Sequence, residues 1–167
     1  MSDKIKVDLK KMDSMRAAFF HSLSITPEEA AWNRAESWAK EKGLLEMDSS
    51  IRIFGRNIYP TENPEPHGYG IYITIPPNIK VERDIPIRTV SGGLYAAVKC
   101  EGLEELIANW PELWKWVENS KYQYIGETKG ELGFELGFEE YINWYSSLVD
   151  KSESKMVFDL LLQLRED

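Results

Sequence analysis

Alternation of apolar and polar side chains predicts a series of short strands along this chain. The clearest case is residues 69–75, where alternation gives a strand two different faces: Tyr69, Ile71, Ile73 and Ile75 on one, and Gly70, Tyr72 and Thr74 on the other. Alternation or short apolar runs predict further strands at residues 15–20, 50–58, 85–90, 94–100, 134–143 and 155–164. The pattern therefore indicates a largely antiparallel β-system.

Helical spacing of apolar side chains replaces alternation in two places. The first helix is predicted over residues 27–42, because the motif TPEE at residues 26–29 matches a capping box and Gly43 suits a left-handed helix end. The second is predicted in two pieces, a short turn and then a helix over residues 111–119, because Pro111 clashes with the preceding turn.

The chain contains two copies of one unit. When the sequence is shifted by about 78 positions, residues 15–44 fall on residues 93–122. The matched pairs include Phe20 with Val98, Trp32 with Trp110 and Trp38 with Trp116. Each copy carries a strand and then a helix with two tryptophans six residues apart.

The repeat predicts an α+β fold built from a duplicated strand–helix–strand–strand unit. We expect one domain over residues 1–167, with repeat 1 at about residues 4–77 and repeat 2 at about residues 85–165. Two such units form a pseudo-two-fold sheet with helices on one side. We expect the other face of the sheet to close over a central ligand cleft where the copies meet.

Composition excludes several classes of function. The net charge is −8 and no Lys/Arg cluster is present, so we expect no direct nucleic-acid binding. The apolar runs are far shorter than a membrane span and the first residues lack a secretory signal, so we expect a cytoplasmic protein without membrane contact. Cys100 is the single cysteine, and His21 and His67 lack metal-ligand spacing, so we expect no metal and no cofactor.

Residues 137–143 contain the most informative polar side chains. As a strand they would present two sets to opposite faces: Glu139, Tyr141 and Asn143 to the cleft, and Phe138, Glu140 and Ile142 to the other side, with Phe138 and Ile142 in the core under the helices. A carboxylate among aromatic rings attracts a cation, and each ring contact contributes about 0.5–2 kcal/mol. Partial burial would also raise the carboxyl pKa and suit it to general-base chemistry.

Two alternatives to a cleft role for Glu139 stay open. Glu139 is also consistent with an ordinary exposed strand residue in an acidic segment. A register slip of one residue would exchange it with Glu140, since the side-chain period of a strand is two.

Several segments resemble the GyrI-like small-molecule-binding family, which includes effector-binding domains of multidrug-sensing transcription regulators. These segments are GLYAAV at residues 93–98, Gly102, WPELWKW at 110–116, FEEYIN at 138–143, and in the first half RIFG at 52–55 and YGIY at 69–72. The resemblance implies a cleft carboxylate at Glu139, Tyr141 beside it, and pocket aromatics at Tyr72, Tyr95, Trp110 and Trp114. Because the motif GFE occurs at residues 133–135 and again at 137–139, Glu135 is a second candidate for that carboxylate.

Three functions follow as hypotheses. The first is a binder of amphipathic, cationic small molecules, in a stand-alone form of the family with a separate regulator protein as a candidate partner. The second, also implied by the resemblance, is a hydrolase for strained electrophiles such as cyclopropanoid genotoxins, with Glu139 activating water and Tyr141 stabilising the developing oxyanion. The third is a protein-interaction module that uses its acidic surface. The sequence leaves open whether the protein is an enzyme, and whether Trp144 covers the pocket.

Overall fold

The computed structural model of the chain describes residues 5–44, 51–61, 67–125, 128–130, 132–142 and 156–165. Over these residues the elements are β1 Asp8–Met12, β2 Met15–Ser22, α1 Pro27–Glu41, β3 Ile53–Tyr59, β4 Gly68–Thr74, β5 Ile87–Val90, β6 Gly93–Glu101, α2 Leu103–Glu118, β7 Thr128–Gly130, β8 Gly133–Glu135, β9 Phe138–Tyr141 and β10 Val157–Leu164. The α+β class is confirmed.

The strands form one antiparallel sheet with internal symmetry. Its order is β1-β6-β10-β9-β3-β4-β2-β5, and the hairpin β7–β8 is attached to β3. The order is unchanged when it is read backwards and each strand is replaced by its counterpart in the other repeat. The pseudo-two-fold axis passes between β3 and β9, where Phe54 faces Glu140 and Gly55 faces Glu139. The predicted duplication is therefore confirmed.

The two repeats exchange their leading strands. β1 precedes the first repeat but pairs with β6 of the second, and β5 precedes the second repeat but pairs with β2 of the first. The two exchange points are in contact, because the Gly92 N–H donates a 2.9 Å hydrogen bond to Ser14 Oγ. Backbone pairing therefore ties each half of the chain to the other.

Both helices pack on one face of the sheet, as predicted. The core on the helix side contains side chains from α1 and α2, such as Ala35 and Leu113, together with Ile71 of β4. A second core on the helix-free face consists of strand side chains, including Phe54 and Leu161. Apolar side chains are therefore buried on both faces of the sheet, which stabilises it from both sides.

The predicted side for the cleft is wrong. The cleft described below lies on the helix side, because Glu139 and Tyr141 share the face of the sheet that α1 and α2 cover only in part. Phe138 has the opposite parity and packs in the helix-free core against Phe54 and Tyr72. Ile142, also expected under the helices, is 43% exposed just after β9.

The predicted break at Pro111 is also wrong, since α2 is continuous from Leu103 to Glu118. Proline removes one hydrogen bond to the preceding turn and costs a helix interior about 3 kcal/mol. Leu106, Leu113 and Val117 lie on both sides of Pro111 and are all buried. Each contributes about 1.5–3 kcal/mol by burial, so packing on the sheet outweighs the local cost.

Helix α1 follows its prediction at one end and departs from it at the other. It ends at Glu41, and Gly43 takes the left-handed conformation with φ of 70°. The side chain of Thr26 makes no capping hydrogen bond. Instead the Ala30 N–H donates to the Thr26 carbonyl, which begins the helical ladder without the expected capping box.

Candidate ligand-binding cleft

A cleft of about 830 Å³ lies between the two helices and the middle of the sheet. Its walls include Trp32 of α1 and Trp110 of α2, and its floor includes Tyr69, Glu139 and Tyr141. Apolar side chains complete much of the lining: Leu103, Leu106, Ile107, Met156 and Phe158. This volume and this mixture of apolar walls with a few polar groups are typical of small-molecule sites.

Glu139 is the acidic group on the floor. It is 7% exposed, accepts a 3.2 Å hydrogen bond from the Tyr69 hydroxyl, and accepts another from the Trp110 indole. Burial raises the pKa of Glu139 to about 7, although the hydrogen bonds from Tyr69 and Trp110 act in the opposite direction. Near neutral pH this side chain therefore exists in both protonation states.

Tyr69 and Tyr141 surround the carboxyl group with neutral hydroxyls. Their oxygens lie 2.6 Å apart, and burial raises the pKa of both phenols above their ordinary value. Trp32 packs edge-on to Tyr141, with ring centroids 4.8 Å apart. The floor is thus a set of rings and uncharged donors around one ionisable carboxyl group.

Two glycines make this close packing possible. A Cβ atom on Gly55 would overlap the Tyr69 hydroxyl, so glycine allows the ring to cross β3 towards Glu139. A Cβ atom on Gly137 would lie 3.0 Å from the Trp110 ring and 2.7 Å from the Leu161 carbonyl. At both positions a neighbouring side chain comes close to the backbone, which is possible because glycine has no side chain.

The rim of the cleft is acidic. Glu28 and Glu29 stand in the first turn of α1, and Glu28 Oε1 lies 2.9 Å from His67 Nε2 across the opening. None of the described residues that line the cleft is Lys or Arg. The cleft therefore presents carboxyl groups and rings to whatever enters it.

The structure brings together some of the residues expected at the site and separates others. Glu139, Tyr141 and Trp110 line the cleft. Tyr72 and Tyr95 lie in the helix-free core, because they have the parity of the opposite sheet face. Trp114 does not line the cleft either. It lies about one helical turn beyond Trp110 on α2, where it packs against Tyr124 at a centroid distance of 4.7 Å.

The other two glutamates considered from the sequence form ion pairs on the opposite face. Glu135 faces Ile58 across β8 and β3 and pairs with Arg88. Glu140 accepts two 2.7 Å hydrogen bonds from the Arg52 guanidinium. Of the three, Glu139 is the one that lines the cleft, because its side chain lies on the face of β9 that the helices partly cover. It also has no cationic partner among the described residues.

Sequence reasoning gave no role in the cleft to two of its lining residues, Trp32 and Tyr69. Other residues considered from the sequence lie outside the described part of the chain. Trp32 lines the cleft as its repeat counterpart Trp110 does, although only Trp110 was named as a pocket candidate from the sequence. Tyr69 heads the alternating face with Ile71, so the pattern placed it correctly but gave it no role. Asn143, which was expected to face the cleft, and Trp144, whose role in covering the pocket stayed open, lie outside the described residues.

The described residues show neither a metal-binding cluster nor a helix suited to a membrane. They contain no group of three or more His, Cys, Asp or Glu side chains arranged to hold a metal ion. Within the same residues, neither helix has the length and apolar character that a membrane crossing requires.

The chain matches one protein family by sequence and several solved structures by fold. The sequence model of the GyrI-like small molecule binding domain matches residues 5–164. No curated protein sequence matches the chain. The crystal structure of the EcmrR C-terminal domain superimposes with a TM-score of 0.68 at 11% identity, over 98% of this chain and 99% of that one. The chain spans 58% of the EcmrR chain in the EcmrR–DNA complex.

Two further solved structures share the fold. SAV2435 bound to tetraphenylphosphonium matches with a TM-score of 0.54 at 12% identity, over 96% of this chain and 94% of that one. A hydrolase from Listeria innocua matches with a TM-score of 0.62 at 11% identity, over 98% of this chain and 94% of that one. At such low identities these likenesses establish the architecture alone.

Proposed function

This chain belongs to the GyrI-like small molecule binding family, and from that premise we propose that its cleft binds amphipathic cations with Glu139 as the charge anchor. The observation that carries the proposal is a carboxyl group 7% exposed, on the floor of a cleft of about 830 Å³ with tryptophan walls. The acidic rim at Glu28 and Glu29 would attract a cation towards the opening.

The physical reason is an unmet requirement for positive charge. A buried carboxylate is costly unless it is paired, and neutral hydrogen bonds from Tyr69 and Trp110 replace only part of the lost hydration of Glu139. A ligand cation would supply the missing charge and would also be attracted to the faces of the surrounding rings. Its apolar groups would fill the space beside Ile107 and Phe158.

The biological role that fits such a cleft is sensing or sequestration of a drug or toxin. The structural neighbour SAV2435, which is bound to tetraphenylphosphonium, supports a lipophilic cation as the probe. A separate regulator protein remains the candidate partner for signalling. The protein-interaction hypothesis rests on net charge and stays a prediction.

Calorimetric titration with tetraphenylphosphonium at pH 8 tests the proposal. We expect saturable binding to the wild-type chain and a loss of about tenfold or more in affinity for Glu139→Gln, which is ~1.4 kcal/mol. Glu118→Gln, at an exposed position near the end of α2, is the matched control and should bind as the wild type does. Neutral triphenylphosphine oxide should not distinguish the three proteins. Equal affinity of wild type and Glu139→Gln for the cation would contradict the anchor role.

A second candidate function is hydrolysis of a strained electrophile. A carboxyl group with a pKa of about 7 is suited to take a proton from water at neutral pH, and the hydroxyls of Tyr69 and Tyr141 lie beside it. The water oxygen would bond to a ring carbon, the strained carbon–carbon bond would break, and its electron pair would pass to a conjugated carbonyl oxygen that is then protonated. One structural neighbour is described as a hydrolase.

Turnover distinguishes the two functions. A cyclopropyl dienone incubated with a catalytic amount of protein should give a product heavier by one water, detected by mass spectrometry. Tyr141→Phe should retain binding but slow this conversion. Binding in a one-to-one ratio without product would contradict the hydrolytic function and would support ligand binding alone.

A further inference from the structure

The helix-free face carries a cluster of charged side chains that the cleft does not use. Arg56 of β3, Tyr72 of β4, Arg88 of β5 and Glu135 of β8 converge there. Glu135 Oε1 accepts from Arg88 Nη1 and from the Tyr72 hydroxyl, the latter at 3.3 Å. The Tyr72 oxygen in turn accepts from Arg88 Nη1 at 3.1 Å. The sheet separates this cluster from Glu139 and the cleft.

The cluster contains more positive charge and more donors than its own acceptor can satisfy. Two guanidinium groups, which remain charged at every physiological pH, share one carboxylate. Arg56 Nη1 lies 3.9 Å from Glu135 Oε1, which is beyond hydrogen-bond distance. Arg56 Nε is buried and has no hydrogen-bond partner among the described residues. The buried Nε2 atom of nearby His21 lacks one as well.

Aromatic rings hold both guanidinium groups in place. The Arg56 guanidinium carbon lies 3.7 Å from the Phe138 ring centroid, and that of Arg88 lies 4.0 Å from the Phe19 centroid. Such stacking orients the planar donor fork before any partner arrives. The Arg88 side chain retains 27% of its exposure and that of Arg56 retains 14%, so solvent reaches part of each side chain although Arg56 Nε itself is buried.

We infer that Arg56 and Arg88 form a second binding site, on the face opposite the cleft, for a small carboxylate. A planar carboxylate has two oxygens that match the two parallel N–H donors on one edge of a guanidinium group, which here include Arg56 Nε–H. It would bring the negative charge that Glu135 alone does not supply. This site is independent of the cation proposal, because it lies on the other face of the sheet and uses none of the cleft residues.

Nuclear magnetic resonance of the arginine side chains tests the inference with acetate as the probe. In the ¹⁵N-labelled full chain, the Arg56 Nε–Hε signal should shift saturably as sodium acetate replaces sodium chloride at constant ionic strength. The signal of Arg83, an exposed arginine, should not saturate. An Arg56 signal that does not saturate at millimolar acetate, or that responds equally to chloride, would overturn the carboxylate site.

Variants provide a second readout. Arg56→Gln should abolish the saturable response of the Arg88 signal, whereas Arg83→Gln should leave it intact, with folding checked by circular dichroism. If Arg56→Gln does not fold, Arg56→Lys keeps the charge but loses the donor fork, and it should weaken acetate binding several-fold. Glu139→Gln should bind acetate as the wild type does. If it fails to do so, the response arises in the cleft and the inference is wrong.

Discussion

Trp32 and Trp110 occupy equivalent positions in the two repeats, and both line the cleft from opposite helices. Each also contacts a polar group on the floor: Trp32 packs edge-on to Tyr141, and Trp110 donates to Glu139. The pseudo-symmetry of the fold therefore gives the cleft two similar walls around an asymmetric floor. Predictions about ligand binding can be tested on each wall separately.

Removal of either wall should weaken binding of tetraphenylphosphonium. Trp32→Ala and Trp110→Ala should each cost about 0.5–2 kcal/mol in ring contacts. The Trp110 variant should lose more at pH 7 than at pH 9, because Glu139 also loses a hydrogen bond that favours its ionised form. Titration calorimetry at both pH values measures this. Trp116→Phe is the control, since Trp116 stacks on Tyr122 and does not line the cleft. Equal losses for the control would indicate a general effect on folding.

Cation binding should depend on pH with a midpoint set by Glu139. Its pKa of about 7 means that roughly a tenth of the carboxyl groups are ionised at pH 6 and most are ionised at pH 8. Affinity for tetraphenylphosphonium should therefore rise by about tenfold between these pH values, and binding at pH 6 should release a proton. Calorimetry in buffers of different ionisation enthalpy detects the proton. Glu139→Gln should show no such slope.

The same side chain should lower the stability of the unliganded protein. Its pKa rises from 4.5 to about 7 on folding, so the folded state keeps a proton that the unfolded state releases between these pH values. Stability therefore falls as pH rises through this window, by up to about 3 kcal/mol. Glu139→Gln should raise the free energy of unfolding at pH 8 and change it little at pH 4. Urea denaturation at the two pH values tests this, and an equal effect at both would contradict it.

The neighbouring glutamate should behave in the opposite way. Glu140 is 5% exposed and accepts hydrogen bonds from Nε and Nη2 of Arg52, so Glu140→Gln leaves the Arg52 charge without its carboxylate partner. We expect a loss of about 1–3 kcal/mol in stability, because Arg52 remains 30% exposed and solvent screens part of the effect. Urea denaturation of both variants side by side gives the comparison. Stabilisation by Glu140→Gln would show that this ion pair does not offset its own desolvation.

Gly55 should be intolerant of a side chain. Gly55→Ala places a methyl group where the Tyr69 hydroxyl lies, and such overpacking costs typically about 1–3 kcal/mol. Displacement of Tyr69 should also weaken cation binding. Tyr69→Phe removes the atom in closest conflict, so the double variant should lose less stability than the sum of the two single variants. A double-mutant cycle measures this coupling, and strict additivity would contradict the proposed contact.

Most of the strands, the positions of both helices and the shared face of Glu139 and Tyr141 were predictable because they depend on local periodicity. Parity along a strand places Glu139 and Tyr141 together, and the repeat places Trp110 beside its counterpart Trp32. The side of the sheet that carries the cleft was not predictable, since it depends on how far apart two helices settle on a shared surface. Tyr72 shows the same limit. The alternation puts Tyr72 on the strand face opposite to Tyr69, but the sequence does not state which of the two faces the helices cover.

Pro111 shows a second kind of limit. A local rule predicts a break at proline, and the rule fails where side chains on both sides of the residue are anchored in the same core. Leu106 and Val117 supply that anchoring, and their partners are distant in sequence. Tertiary packing thus decides a feature that local chemistry would assign otherwise.

The reciprocal placement of β1 and β5 has a consequence for the origin and the dissection of this fold. A polypeptide containing one repeat alone would carry a leading strand with no partner inside its own chain, because β1 pairs with β6 and β5 with β2. Two such fragments would satisfy each other as a domain-swapped homodimer. In a single chain that joins both copies, the two halves of the pocket can carry different side chains, and here the second half supplies Glu139 to the floor while the first supplies Glu28 and Glu29 to the rim.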